Sequence, residues 1–238
     1  MGLPIVFVHG IRLSGTMWRP QIEALEARGH RAVALDMPGH GSLLDEVFSA
    51  DAAVELIARS IDELGGRALL VGLSMGGYLG IAAAAAHPDR VAGLVAASCT
   101  VRLRRSMTLP YRWATSALQR LPDHGEAVSR RLMALTLARE ASEALHAGGI
   151  ATAASPVAAR ELADLDPIGS LRQYLGPVWL VNGARDTFRL DEQRFLNACF
   201  DGRLLVVRRA GHLVNLNQPE RFTSIVTQAA EEVDRIYA

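Results

Sequence analysis

The chain has 238 residues, half of them hydrophobic and 21% charged, enough for one domain with a substantial core and room for an inserted subdomain. Its 25 basic and 25 acidic residues balance, which argues against the basic surface that nucleic-acid binding draws on. Every basic residue is arginine, so imine chemistry on a lysine is excluded.

In chain order, short runs rich in Val, Ile and Leu alternate with helical patterns. Strands are predicted at Pro4 to Val8, Arg31 to Leu35, Ala68 to Val71, Val91 to Ala97, Val178 to Val181 and Leu204 to Val207. They show little polar alternation, as expected for strands buried on both faces of a parallel sheet. Between them, residues 17–28 present Ile22 and Leu25 on one face and stop at Gly29. Residues 51–64 present Val54, Ile57, Ile61 and Leu64, with Asp51 as the candidate cap. An Ala-rich helix is predicted over 75–87, ended by Pro88. A last helix opens at Pro219 and presents Phe222, Ile225 or Val226, Ala229 and Val233. This alternation predicts a doubly wound α/β sheet of about six strands.

One stretch breaks the rhythm. Residues 101–172 contain no convincing strand, while 126–146 carry Val128, Leu132, Leu135 and Leu145 at helical spacing. We read a mostly helical insertion there, between a core made of 1–100 and 173–238. Arg102, Arg104 and Arg105 open it as a solvated charge run. Cys99 and Cys199 lie in no metal or redox spacing and are expected as buried thiols. The first apolar run is too short for a signal peptide and no segment spans a membrane, so a cytoplasmic location is the default expectation.

The chemistry concentrates at Gly72-Leu73-Ser74-Met75-Gly76-Gly77, directly after a strand and before a helix. Alone, Gly-x-Ser-x-Gly is a weak signal that a plain glycine-rich turn also produces. In this context it predicts a sharp elbow that exposes the Ser74 hydroxyl at a helix N-terminus. A dinucleotide-binding loop is a poorer fit, because Ser74 occupies its middle glycine and Val91 to Ser98 ends in no carboxylate.

A serine nucleophile needs a base. Of seven histidines, His212 follows the last strand in a loop able to reach Ser74. His9 and His40 sit in turns and are read as structural; His30, His87, His124 and His146 belong to helical patterns. The orienting carboxylate is assigned to Asp186, which follows a strand in Asn182-Gly183-Ala184-Arg185-Asp186, and the order Ser, Asp, His agrees with that assignment. Asp36, before the nucleophile, is read as a turn former. Oxyanion donors are expected from the backbone N–H groups of Met75 and Ile11.

Taken in order and spacing, His9-Gly10, Asp36-Met37-Pro38-Gly39-His40-Gly41-Ser42, Gly72 to Gly77, Gly183 to Asp186 and Gly211-His212 resemble the α/β-hydrolase superfamily. The resemblance runs from residue 4 to about 235. It implies that the insertion is a helical cap, and that a small-molecule acyl substrate is cleaved with no metal or organic cofactor. Ser74 at the elbow is unlike the Asp of haloalkane dehalogenases and epoxide hydrolases, and the absent lysine is unlike plant hydroxynitrile lyases. The segments around Ser74 and His212 look most like carboxylesterases and enol-lactone hydrolases, with thioesterases close. Carbon–carbon hydrolysis, acyl transfer or perhydrolysis on the same residues, and ligand reception without turnover, remain open alternatives. Trp113, Leu118, Leu132 and Leu135 are candidates for the apolar lining of the cap.

Overall fold

A computed structural model describes residues 2–121, 123, 125–128, 131 and 139–237. Its frame is six strands: β1 (Ile5–Val8), β2 (Ala32–Leu35), β3 (Ala68–Leu73), β4 (Val91–Ala97), β5 (Pro177–Gly183) and β6 (Asp201–Val207). All neighbours pair in parallel, in the order β2-β1-β3-β4-β5-β6. The predicted α/β fold class and strand number therefore hold. Strand β4 has the predicted bounds, while β3 and β6 extend beyond them.

Side chains along β1 alternate between two cores. Val6 and Val8 point into one, with Leu70, Ile57, Tyr78 and Leu171; Ile5 and Phe7 point into the other, with Leu69, Trp18, Phe222 and Val226. Each fully buried large apolar side chain contributes roughly 1.5–3 kcal/mol of transfer free energy, so both faces need covering. Helices α1 (Arg19–Glu26), α2 (Ala50–Glu63), α3 (Met75–Ala86) and the long C-terminal α10 (Pro219–Tyr237) do this together with elements of the second half. The cap of α2 differs from the expected one. Ser49, not Asp51, is the N-cap, its Oγ accepting from the Ala52 N–H at 3.1 Å, and Asp51 lies in the first turn.

Between β4 and β5 the described elements are helical: α4 (Arg105–Leu118), α5 (Arg139–His146), α6 (Ser155–Asp164) and α7 (Pro167–Gln173). Of the helix expected over 126–146, the stretch containing Leu132 and Leu135 lies outside the described residues. Arg105 joins α4 to α6 through a fork of two bonds to Asp164, at 2.5 and 2.7 Å. Two short helices, α8 (Glu192–Leu196) and α9 (Val214–Asn217), follow β5 and β6. Among the described residues no helix is long and apolar enough to cross a membrane. Cys99 is buried, Cys199 is half-buried, and both are free thiols.

The chain leaves β1 for β2 at one side and returns to β3 at the other, so the sheet reverses its winding between β1 and β3. The crevice at the carboxyl ends of those strands is where such sheets place ligands. Residues 9–12 and 74 stand there.

Candidate active site

Ser74 joins β3 to α3 with φ 55° and ψ −113°, a conformation an L-residue adopts only under strain. The surroundings explain how the strain is held. A side chain on Gly72 would fall on the Gly76 carbonyl, and one on Gly76 would fall on the Val8 carbonyl. Backbone bonds lock the turn: Ser74 N–H donates to the Ala97 carbonyl at 2.8 Å and Gly76 N–H to the His9 carbonyl at 3.1 Å. The elbow is thus built from glycine-only contacts between β3, α3 and the loop after β1.

The structure brings Ser74, His212 and Asp186 into one hydrogen-bonded line. His212 Nε2 lies 3.0 Å from Ser74 Oγ, and its Nδ1 lies 3.0 and 3.2 Å from the two Asp186 oxygens. An ionised carboxylate only accepts, so Nδ1 carries the proton and Nε2 accepts from the serine hydroxyl. Ser74 is 8% exposed, and the Asp186 side chain is fully buried. Burial pushes the Asp186 pKa up, but the hydrogen bond and charge of His212 and the Phe188 N–H at 2.8 Å outweigh it, leaving it below the usual carboxylate value. Arg185 and Arg189 lie within three residues of Asp186 in the chain, close enough to compete for it. Arg189 instead forms a fork with Glu192, at 2.6 and 2.9 Å.

Met75 opens α3, so its N–H lacks an intrahelical acceptor by position and stands beside Ser74. Ile11 lines the same cavity as Ser74. The loop carrying it is braced by His9, whose Nδ1–H donates to the Gly10 carbonyl at 2.8 Å and whose Nε2 accepts from the Met37 N–H at 3.0 Å. Burial, aided by neighbouring His40, lowers the His9 pKa to about 3. Asp36 accepts from the Gly15 and Ser42 N–H groups and from the Ser42 hydroxyl, at 2.7–2.8 Å. Among the other histidines, His87 binds Glu55 at 3.0 Å and His146 donates to the Ser142 carbonyl at 2.5 Å.

A mostly apolar cavity of about 600 Å³ opens over Ser74 and His212, closed on its far side by Leu103 and by residues of α4 and α6. Met107, Thr108 and Tyr111 supply the α4 wall, and Ala159 and Leu162 the α6 wall. This corrects the expected lining. Trp113 is 78% exposed, and Leu118 packs beside Gly125, away from the cavity. Leu132 and Leu135 lie outside the described residues. Phe188 was not expected: its ring lies against the His212 imidazole. Its signal is its place two residues after Asp186, on a loop leaving a strand end. Among the described residues no group of three or more His, Cys, Asp or Glu side chains is arranged to hold a metal ion.

Comparison with known proteins agrees with this architecture. A putative non-heme haloperoxidase of Mycobacterium phage D29 is 35% identical over 97 residues, 40% of this chain and 35% of that protein. A pimeloyl-[acyl-carrier protein] methyl ester esterase of Nitrosomonas europaea is 28% identical over 244 residues, covering 94% of each chain. Among solved structures, a thermophilic esterase from Thermogutta terrifontis superposes with a TM-score of 0.81 and 26% identity, over 98% of this chain and 91% of that one. The model of the alpha/beta hydrolase family matches residues 5–225, and the chain belongs to that family.

Proposed function

We propose that the chain is a serine hydrolase that cleaves a carboxylic ester, lactone or thioester through an acyl-enzyme on Ser74. The observation that carries this reading is the line from Asp186 through His212 to the Ser74 hydroxyl, ending in an apolar cavity. His212 takes the hydroxyl proton as Ser74 attacks the substrate carbonyl, and Asp186 holds the imidazole in the required tautomer and balances its charge. The Met75 and Ile11 N–H groups receive the oxyanion, each contributing roughly 3–4 kcal/mol in comparable sites. His212 then protonates the leaving group. Water, deprotonated by the same imidazole, releases the acid.

In this reading residues 101–172 act as a cap whose α4 and α6 shape the cavity. The esterase names carried by relatives that span most of the chain support ester cleavage over the other chemistries of the fold.

The test is labelling with a fluorophosphonate probe, followed by turnover of a short-chain p-nitrophenyl ester. Rapid labelling that disappears in Ser74→Ala, with turnover lowered at least about 10³-fold in both Ser74→Ala and His212→Ala, is the expected result. A folded wild-type protein that neither labels nor turns over would overturn the reading in favour of a receptor.

A further inference from the structure

His212 lies in the loop between β6 and α9, and both of its chain neighbours are hydrogen-bonded to one residue, Asn217. The Asn217 N–H donates to the Leu213 carbonyl at 2.8 Å, the ordinary bond of a helical turn. The Gly211 N–H donates to Asn217 Oδ1 at 2.9 Å, a bond that reaches back six residues, past His212, to a side chain. A backbone N–H can only donate, so the amide oxygen must face Gly211, and the orientation of the whole amide is fixed.

The segment that carries Asn217 is itself well anchored. Helix α9 has only four residues and no side-chain cap, too few to be stable alone. Val214 and Leu216 are buried in the core that holds Phe7 and Trp18. Asn215 exchanges two bonds with Gln21 of α1: Gln21 Nε2 donates to the Asn215 carbonyl at 3.0 Å, and Asn215 Nδ2 donates to Gln21 Oε1 at 3.3 Å. On the other side of His212, the Arg185 N–H donates to the Ala210 carbonyl at 2.9 Å, which fastens the loop to the strand end that carries Asp186. At Gly211 itself packing is loose. A side chain built there would meet only Asn217 Oδ1, at 3.5 Å, so the hydrogen bond and not close contact holds the loop at that point.

The His212 side chain is 36% exposed, so the direction of its ring depends on how firmly its backbone is held. Proton transfer across the 3.0 Å between Ser74 Oγ and His212 Nε2 tolerates little displacement. Resting on the assignment of Ser74 as nucleophile and His212 as base, we propose that Asn217 is a positioning residue for the imidazole. Its side-chain oxygen clamps Gly211, its N–H clamps Leu213, and the residue between them is kept in line with Ser74 and Asp186.

The test measures ester turnover and amide hydrogen exchange at Gly211 in two variants. Asn217→Leu keeps the bulk and loses the acceptor, whereas Asn217→Asp keeps an acceptor. Asn217 is half-buried at a helix end, so both are expected to fold; Asn217→Ala replaces the leucine variant if that one does not. Asn217→Leu is expected to lower kcat by about tenfold or more, the scale of one donor left unpaired. Its KM should change by less than about threefold, because the interaction serves the chemical step and not substrate binding. Exchange at Gly211 should quicken by a factor similar to the loss in kcat, and Asn217→Asp should recover most of both. A merely structural bond would lower the melting temperature and leave kcat of the folded protein intact. That outcome, a loss confined to KM, since Asn217 also lines the cavity, or an equal loss of kcat in both variants would overturn the proposal. If the wild type hydrolyses no ester and takes no fluorophosphonate, the nucleophile assignment fails and the clamp is judged by exchange alone. Faster exchange at Gly211 in Asn217→Leu but not in Asn217→Asp supports it; equal exchange in all three proteins ends it.

Discussion

The Phe188 ring lies 4.7 Å from the His212 imidazole, centroid to centroid and tilted by 46°. The same residue donates its N–H to Asp186, so its backbone holds the carboxylate while its ring flanks the imidazole that the carboxylate orients. The His212 side chain is otherwise 36% exposed, leaving room to swing away from Ser74. An aromatic contact of this kind contributes about 1 kcal/mol. Phe188→Ala is therefore expected to lower kcat about five- to tenfold, with Phe188→Leu recovering most of it. Phe188 also lines the cavity, so steady-state kinetics must separate the two roles. A change confined to KM would make Phe188 a wall and not a brace.

The strands were legible because burial on both sheet faces leaves a run of Val, Ile and Leu with little else to explain it; Val91–Ala97 is the clearest case. The exception is β6, at the sheet edge. Its first residues, Asp201, Gly202 and Arg203, look like a turn, yet they pair with Pro177, Val178 and Trp179. Edge exposure permits this polarity, and Arg203 pairs with Asp201 and Glu232 while stacking over the Trp179 ring. Helix α4 was hidden by Pro110 in its interior, which normally argues for a break. Without a helix there, Trp113 had no face. Tyr111 lies two residues earlier, so it points to a different side of the helix, and the cavity takes Tyr111 and leaves Trp113 in solvent. Ser74, His212 and Asp186 could be nominated because each follows a strand at the same rim. Phe188 follows a strand too, but nothing in its residue type marks it beforehand.

Acid should destabilise the fold through His9. Its unfolded pKa is 6.5 and its folded pKa about 3, so between these values the unfolded chain binds the extra proton and stability falls as pH falls. The slope contributed by this one residue is about 1.4 kcal/mol per pH unit. Buried His40, also lowered, adds in the same direction. Denaturant titrations at pH values across this window are expected to give a steeper acid loss for the wild type than for His9→Gln. Equal slopes would show that His9 is not kept neutral.

Glycine substitutions should separate backbone conformation from close approach. Gly29 has φ +83° and nothing near the position of a side chain, so Gly29→Ala meets only the left-handed penalty, about 1–2 kcal/mol. Gly76 has no positive φ, but a methyl group there would strike the Val8 and His9 carbonyls. Moving β1 away would displace the loop that carries Ile11. Gly76→Ala is expected to cost at least about 2–3 kcal/mol and to abolish fluorophosphonate labelling in whatever protein still folds. Thermal melts of both variants check the order, and a Gly76→Ala protein as stable and reactive as wild type would contradict the packing.

Replacing Asp186 with asparagine tests the orienting role without emptying the site. The amide can still accept the Phe188 N–H through its oxygen, so packing should survive and the melting temperature should change little. If its NH₂ turns towards His212 Nδ1, the imidazole proton is driven to Nε2, the nitrogen that faces Ser74 at 3.0 Å. The base then has no lone pair for the hydroxyl. Asp186→Asn is expected to lower kcat by about 10³- to 10⁴-fold at neutral pH. Labelling by a fluorophosphonate should slow by a comparable factor, because it uses the same proton transfer, while Ser74→Ala removes it entirely. The wild-type carboxylate, held below its ordinary pKa by His212 and Phe188 against the opposing effect of burial, should stay ionised down to pH values where a free aspartate is already protonated. Turnover in Asp186→Asn within tenfold of the wild type would mean that the imidazole finds its tautomer without the carboxylate.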